Sequence, residues 1–544
     1  MNRLKSMLML ALAAPCAALA QNYVSEVWQP DLGTKFRNPI IYADYSDPDV
    51  CRVGDDYYMT ASSFNCIPGL PILHSKDLVN WTLVNYAVER LVPAELFAAP
   101  SHGNGIWAPA IRHHNGEFYI YWGDPDNGIF MVKTKDVLGR WDDPVLVLPA
   151  RGIIDTCPFW DEDGRAYLSH GYAGSRAGLK SILGIIEMTP DGTRTIGQSR
   201  IVFDGHEGNE TVEGTKLYKR DGYYYILCPA GGVSTGWQLA LRSKDIYGPY
   251  EHRKVMAQGM TDINGPHQGA WVDTPDGKEH WFIHFQDVDA YGRIIHLNPL
   301  RWADGWPVIG NDADGDGCGE PVTTAVKPSL PRQPKANPVE TDYFTSNRLG
   351  LQWQWHANAN PLWYFADAAH TRLRLFTVPL PENYANLWDL PNLLLQKFPA
   401  PDFAATARLR FAPSAKIDGE RAGLVVMGMD YAGLFMEQTP RGILLSQNTC
   451  VKAKQHREEV VSSEPVLVQK NQDVWLRVRV SRSGTQALCR FSYSFDGKTF
   501  TDLGREFTAQ PGQWIGAKVG MFATRPKFIN DGGWLDVEEF VVTR

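Results

Sequence analysis

A fivefold internal echo constrains this chain more than any other feature. Short segments recur in which a tight turn leads into a tyrosine-rich apolar strand: Val53-Gly54-Asp55-Asp56-Tyr57-Tyr58, His114-Asn115-Gly116-Glu117-Phe118-Tyr119, Asp163-Gly164-Arg165-Ala166-Tyr167, Asp221-Gly222-Tyr223-Tyr224-Tyr225 and Asp276-Gly277-Lys278-Glu279-His280-Trp281. The turn glycines stand roughly fifty to sixty residues apart, a spacing that predicts the blades of a five-bladed β-propeller. Stepping back about seven to ten residues from each glycine lands on Asp47, Trp107, Asp155, Glu213 and His267. In a radial β-fold, equivalent positions on the inner strands converge on the central axis. One acid before one strand reads most simply as a turn cap, but three in register predict a cluster. Glu213 strengthens this reading, because Glu lacks the short local hydrogen bonds that make Asp a turn residue.

The chain has 544 residues, enough for more than one domain, and a net charge of −8 with no basic block. Nothing in it offers a nucleic acid the electrostatic footprint such partners need. Its 18 Trp and 22 Tyr suit β-structure and the stacking of sugar faces. Arg3 and Lys5, the apolar run Met7 to Ala14 and the Ala18-Leu19-Ala20 site together predict a cleaved signal peptide over residues 1–20. That run is too short to span a bilayer. The expected location is therefore secreted or periplasmic, without a membrane anchor. Loss of Cys16 leaves seven scattered cysteines, which do not form a disulfide framework. Cys51 and Cys66 are the nearest pair for a single bridge, and no Cys/His spacing implies zinc.

Residues 21–326 carry the repeats. A proline-rich stretch, 327–338, reads as an extended linker. Residues 339–544 show period-two strands without the repeat, among them Ala405 to Phe411, Trp475 to Val480 and Arg490 to Phe495, the last running into the hairpin signal Asp496-Gly497. One-faced strands over this length predict a β-sandwich. The fold class expected is all-β.

These segments resemble glycoside hydrolase family 43 joined to the concanavalin-like C-terminal module of its β-xylosidase-type members. The likeness rests on Ser46-Asp47-Pro48-Asp49, His74-Ser75-Lys76-Asp77, Gly105-Ile106-Trp107-Ala108-Pro109, Ile154-Asp155, Val212-Glu213-Gly214, Gly265-Pro266-His267-Gln268-Gly269 and Tyr291-Gly292-Arg293. The resemblance implies an inverting glycosidase acting on plant cell-wall arabinose- and xylose-containing glycans. It implies Asp47 as general base, Glu213 as general acid and Asp155 as the residue that tunes the acid. It further implies Arg293 as a contact to substrate hydroxyls, and His267 as a substrate-side residue beside a structural calcium or a water, with no cofactor needed for the chemistry. Trp107 is read either as a stacking platform for substrate or as packing in the blade core. The segment Asn65-Cys66-Ile67-Pro68-Gly69 departs from the family's usual acid and aromatic before the proline. Taken as a pocket-lining loop, it tilts the expectation towards terminal α-L-arabinofuranose, with β-xylosidase as the alternative main activity.

Inverting hydrolysis asks for one protonated and one ionised carboxyl group about 6.5–9.5 Å apart. Acids on different blades facing across an axis can meet that demand, and a second carboxylate beside the acid raises its pKa. A non-catalytic sugar-binding propeller would be expected to lack one of the three acids, and all are present. A retaining fructosidase would follow its acids with other partners than Thr156 and Gly214. A separate acidic run, Asp312-Ala313-Asp314-Gly315-Asp316-Gly317, opens like a calcium loop but has Thr323 where the closing Glu belongs. The sandwich is expected to wall one side of the pocket and make the enzyme exo-acting; self-association is left open.

Overall fold

The computed structural model describes residues 22–544, and the expected leader over residues 1–20 lies outside them. Five four-stranded antiparallel sheets follow one another along the chain. Their innermost strands are Asp49–Val53, Trp107–His114, Ile153–Trp160, Lys216–Arg220 and His267–Asp273. Each inner strand turns back into its neighbour through one of the five repeated glycines. Gly54, Gly116, Gly164, Gly222 and Gly277 have φ between 62° and 83°, and a Cβ at any of them would meet nothing within 4 Å. Glycine is therefore demanded there by the left-handed turn and not by space.

A second repeat lies at the other end of the inner strands, and it is what positions the site. In each blade one extra residue interrupts the ladder where the inner strand begins. The register skips between Trp107 and Ala110, between Ile154 and Cys157 and between His267 and Gly269. In blades one and four the same offset separates the pairs Ser46/Ser62 and Glu213/Pro229 from the strands that follow. The inserted residues are Asp47, Ala108, Asp155, Gly214 and Gln268, all at positive φ, from 28° to 63°. Such bulges re-aim side chains. The address read from the sequence is thus two adjacent addresses: Asp47 and Asp155 are the bulge residues, whereas Trp107, Glu213 and His267 immediately precede theirs.

The ring is closed by the segment that enters blade one. Ile41 bridges to Ile295 of blade five. Asn38 donates to the carbonyls of Leu297 (2.8 Å) and Val322 (2.7 Å) and accepts from the Leu297 N–H (2.9 Å). A two-stranded ribbon of Lys35–Arg37 with Thr324–Val326 completes the clasp.

Beyond it the chain runs extended but pinned. Lys327 reaches Asp31 and Asp77, and the Ala336 and Asn337 amides bond Asn80 and Tyr23 of the propeller side. The C-terminal region is a sandwich of nine- and eight-stranded sheets. The strands Phe403–Ala412, Val474–Ser483 and Gln486–Ser494 lie in one of them, and Val474, Leu476, Val478 and Val480 point alternately into the core. That core continues across the seam to Tyr42, Tyr291 and Ile294 of the propeller. All seven described cysteines are free. Cys51 and Cys66 are not bridged: the Cys66 thiol instead accepts from Lys518 of the sandwich at 3.1 Å.

Replacing Asn38 with Ala leaves two carbonyls and one amide of the clasp unpaired, at a net cost of about 2–4 kcal/mol. Urea denaturation should show a lower midpoint with an unchanged slope.

Candidate active site

Asp47, Asp155, Glu213, His267 and Arg293 meet at one end of the propeller axis, Trp107 stands beside them, and the site is built by exchange between blades. Asp47 is almost wholly buried, at 4% exposure. Its Oδ2 accepts from the hydroxyls of Ser62 (2.6 Å) and Ser46 (3.2 Å), and its Oδ1 accepts from Arg293 (2.9 Å). The Ser62 hydroxyl in turn accepts from the bulge amide of Ala108 (2.7 Å), which leaves its proton to point at Asp47. Arg293 also bonds Ser46 (2.6 Å) and lies over the Phe285 ring, 4.9 Å from its centroid. Donors surround Asp47 and solvent is almost wholly excluded from it. Arg293 is buried at the centre of the site.

On the facing side the Asp155 Oδ2 accepts from the bulge amide of Gly214 at 2.8 Å. A Cβ at Gly171 would lie 3.9 Å from Asp155 Oδ2 and 3.9 Å from Glu213 Cβ, so both acids flank one small residue. Burial first, and then the charge of Glu213, push the Asp155 carboxyl up to about 8 against the opposing pull of the Gly214 N–H. Two carboxyls this close titrate as a pair. The Glu213 side chain keeps 25% of its surface exposed, against 6% for Asp47. Glu213 therefore stands at the mouth and Asp47 on the floor. His267 Nε2 lies 3.0 Å from Glu213 Oε1 and holds its orientation.

At His267, where calcium or a water is expected, few donors are free. With Nε2 engaged by Glu213, the imidazole offers only Nδ1, which is buried without a partner, as is the neighbouring Gln268 Oε1. Among the described residues, His267 belongs to no group of three or more His, Cys, Asp or Glu side chains close enough to share an ion; Asp312, Asp314 and Asp316 do. Calcium takes six to eight oxygen ligands, so waters would have to supply most of the shell at His267.

Trp107 is oriented by its indole N–H on the Gly103 carbonyl (2.8 Å) and faces Trp514 of the sandwich, ring centroids 6.1 Å apart. The loop holding Trp514 is anchored by Asp44, which the sequence reading passed over. One Asp44 oxygen accepts from the Arg293 amide (2.9 Å), the other from the Gly516 amide (3.0 Å). Ser62 was also missed, because its role depends on a strand pairing and a bulge in the next blade. The Asn65–Pro68 segment faces the seam: Asn65 donates to the His356 carbonyl (2.7 Å) and accepts from Gly103, Cys66 meets Lys518, and Ile67 pairs with Trp355. Its departure from the family pattern serves the domain contact, while Cys66 also packs with Phe64, Ile515 and Trp107.

Residues 36–307 match Glycosyl hydrolases family 43, and residues 341–543 match the β-xylosidase C-terminal concanavalin A-like domain. A putative β-xylosidase of Xylanibacter ruminicola is 36% identical over 498 residues, covering 90% of this chain and 86% of that protein. A non-reducing-end α-L-arabinofuranosidase of Bacteroides ovatus is 32% identical over 76% of this chain and 78% of its own length. The crystal structure of the GH43 protein BlXynB from Bacillus licheniformis superposes with a TM-score of 0.79 at 25% identity, over 94% of this chain and 99% of that one.

Carboxyl NMR should find Asp155 titrating near 8. In Glu213→Gln the midpoint should fall, since a like charge has been removed; an unmoved midpoint would deny the coupling.

Proposed function

This chain belongs to glycosyl hydrolase family 43, and from that premise we propose that it is an exo-acting, inverting enzyme that removes terminal β-D-xylosyl residues from hemicellulose oligosaccharides. It is a glycoside hydrolase of the β-xylosidase/α-L-arabinofuranosidase type. The observation that carries the finer reading is the division of surroundings between Asp47, on the buried floor with Arg293 and Ser62, and Glu213, at the exposed mouth beside Asp155.

In this reading Asp47 is the general base. Arg293 and the two serines hold its carboxylate still and leave lone pairs for one water beneath the sugar ring. Glu213 is the general acid and hands its proton to the glycosidic oxygen at the open side, where the leaving sugar departs. Asp155 supports it: two neighbouring carboxyls cannot both stay ionised without repulsion, so the pair retains a proton near neutrality. The sandwich loop carrying Trp514 and Ile515 closes the pocket beside Trp107 and Phe64, which supports exo action. Arg3, Lys5 and the apolar run after them support export of the enzyme.

The preference for xylose draws on the 36% identical β-xylosidase relative. A second reading, terminal α-L-arabinofuranose, is favoured by the arabinofuranosidase relative. The two separate on 4-nitrophenyl β-D-xylopyranoside and α-L-arabinofuranoside assayed side by side. Faster release from the xyloside, with α-xylose as the first anomer seen by proton NMR, is the expected result; β-xylose first would rule out inversion.

Glu213→Ala should lower kcat on xylo-oligosaccharides by about 10²–10⁴ and lower it far less on the nitrophenyl glycoside, whose leaving group needs little protonation. The alkaline limb of kcat/KM should fall through about 8, as the pair loses its proton. Asp155→Asn, which removes the like charge, should move that limb to lower pH.

A further inference from the structure

Directly behind the bulges the inner strands carry a second ring of side chains. Residues two apart on a strand share a face, and the positions two beyond each bulge are Asp49, Ala110, Cys157, Lys216 and Ala270, none more than 1% exposed. Three of the five are small, and Lys216 extends over them. Its ammonium donates to the Pro109 carbonyl (2.8 Å) and stands 3.9 Å from Asp49 Oδ1. Lys216 belongs to blade four, Pro109 to blade two and Asp49 to blade one. Neither of those blades neighbours blade four in a ring of five, so the side chain crosses the propeller axis.

The charges of this ring do not cancel. Asp49 Oδ2 accepts from the Ile111 amide (2.6 Å) and from Arg112 (2.6 Å), and Arg112 donates onward to the Cys157 sulfur (2.9 Å). Arg112 therefore already pairs the carboxylate of the ring, and Lys216 is a cation in excess. On the catalytic side the imbalance is reversed, with Asp47, Asp155 and Glu213 gathered around the single guanidinium of Arg293. A buried ammonium with one carbonyl to bond is costly unless opposite charge offsets it, and the carboxyls in front of it supply that charge. The effect falls on Asp155: burial, Glu213 and Asp47 push its carboxyl up, whereas the Gly214 amide and Lys216 pull it down. The backbone is joined at the same place. Thr215, next to Lys216, donates to the Asp155 carbonyl (2.8 Å), and Pro109 directly follows Ala108, whose amide orders Ser62 on Asp47. One buried side chain thus links the segment of Glu213 to the segment that orders Asp47, beside the strand of Asp155.

We propose that Lys216 is a positioning residue for the three acids: its ammonium, held across the axis by Pro109 and Asp49, fixes the Glu213 segment against the one that orients Asp47 and supplies the positive charge that lets three carboxyls share one small site. The inference rests on the glycosidase reading above and deepens it, because the pH range in which the acids are correctly protonated is then set by a residue that no substrate touches.

The test follows the Asp155 carboxyl by NMR titration in the wild type, in Lys216→Met, which keeps the length of the side chain without its charge, and in Asp49→Asn, which removes the opposite charge from the same ring. Loss of the ammonium should raise the Asp155 midpoint by about one pH unit, and loss of the Asp49 charge should lower it, since a nearby cation favours the ionised carboxyl and a nearby anion disfavours it. In Lys216→Met the alkaline limb of kcat/KM should move to higher pH with the midpoint, and kcat should fall about tenfold or more, with KM little changed, as the acids lose their alignment. Damage to the fold alone would not displace the two variants in opposite directions. An Asp155 midpoint that stays in place in Lys216→Met, or moves the same way in both variants, overturns the proposal. Should Lys216→Met fail to fold, Asp49→Asn carries the test, and an unmoved midpoint there overturns it equally. The titration needs no turnover, which separates this inference from the reading beneath it. Glycoside hydrolysis with an unmoved midpoint refutes the role of Lys216 and leaves the glycosidase standing; oppositely displaced midpoints in a protein that hydrolyses no glycoside uphold the charge coupling and remove the glycosidase reading.

Discussion

One extra residue at the start of each inner strand governs the functional end of this propeller. An uninterrupted ladder would send alternate side chains into the spaces between blades. The bulge breaks that alternation and turns a residue towards the axis. It does so at a cost of about 1–2 kcal/mol wherever the inserted residue has a Cβ, as Asp47, Ala108, Asp155 and Gln268 do. The same irregularity frees backbone amides, and these are not wasted: Ala108 N–H orders Ser62 on Asp47, and Gly214 N–H binds Asp155. The second and fourth blades thus hold in place the acids of the first and third. Strain, polar satisfaction and the gathering of the acids share one origin.

The sandwich is part of that arrangement. Asp44 accepts from Arg293 with one oxygen and from Gly516 with the other, so the position of the arginine on Asp47 and the position of the Trp514 loop are set by one carboxylate. Around it the seam is closely bonded, with Asn65 on the His356 carbonyl, Gln354 on the Pro68 carbonyl (2.7 Å) and the Tyr86 hydroxyl on the Leu351 carbonyl (2.9 Å). Tyr291 bonds the Pro401 carbonyl and packs against Phe398. Directional bonds laid over a continuous apolar core leave little freedom for one domain to slide on the other. The pocket can accordingly be built from both.

Much of this was legible in the chain because it repeats. A left-handed turn every blade demands glycine, and an acid at the axis is conspicuous when several stand in register. What misled was counting: an offset of one residue cannot be seen in turn-to-acid distances of unequal length, so bulge residues and their predecessors merged into one address. The Asn65–Pro68 segment misled for another reason. Its partners, His356, Trp355 and Lys518, lie some 290 to 450 residues away, and proximity in sequence to the first acid said nothing about which way it faced. Ser62 and Asp44 carry no local mark at all, since a serine near a strand end and an aspartate in a loop are ordinary until their acceptors and donors are in place.

The amino-acid order by itself determined the five blades, the sandwich after them and the register that singles out three acids and a histidine, because turn chemistry and strand periodicity are local properties written within a few residues; the arginine came only from the family resemblance. The tertiary structure alone decided which acid is buried and which is open, that the Asp155 carboxyl is pushed up beside Glu213, and that a sandwich loop packs beside Trp107. Burial and the field of a neighbouring charge depend on distances between blades and across the domain seam, and those distances exist only once the ring has closed and the sandwich has docked.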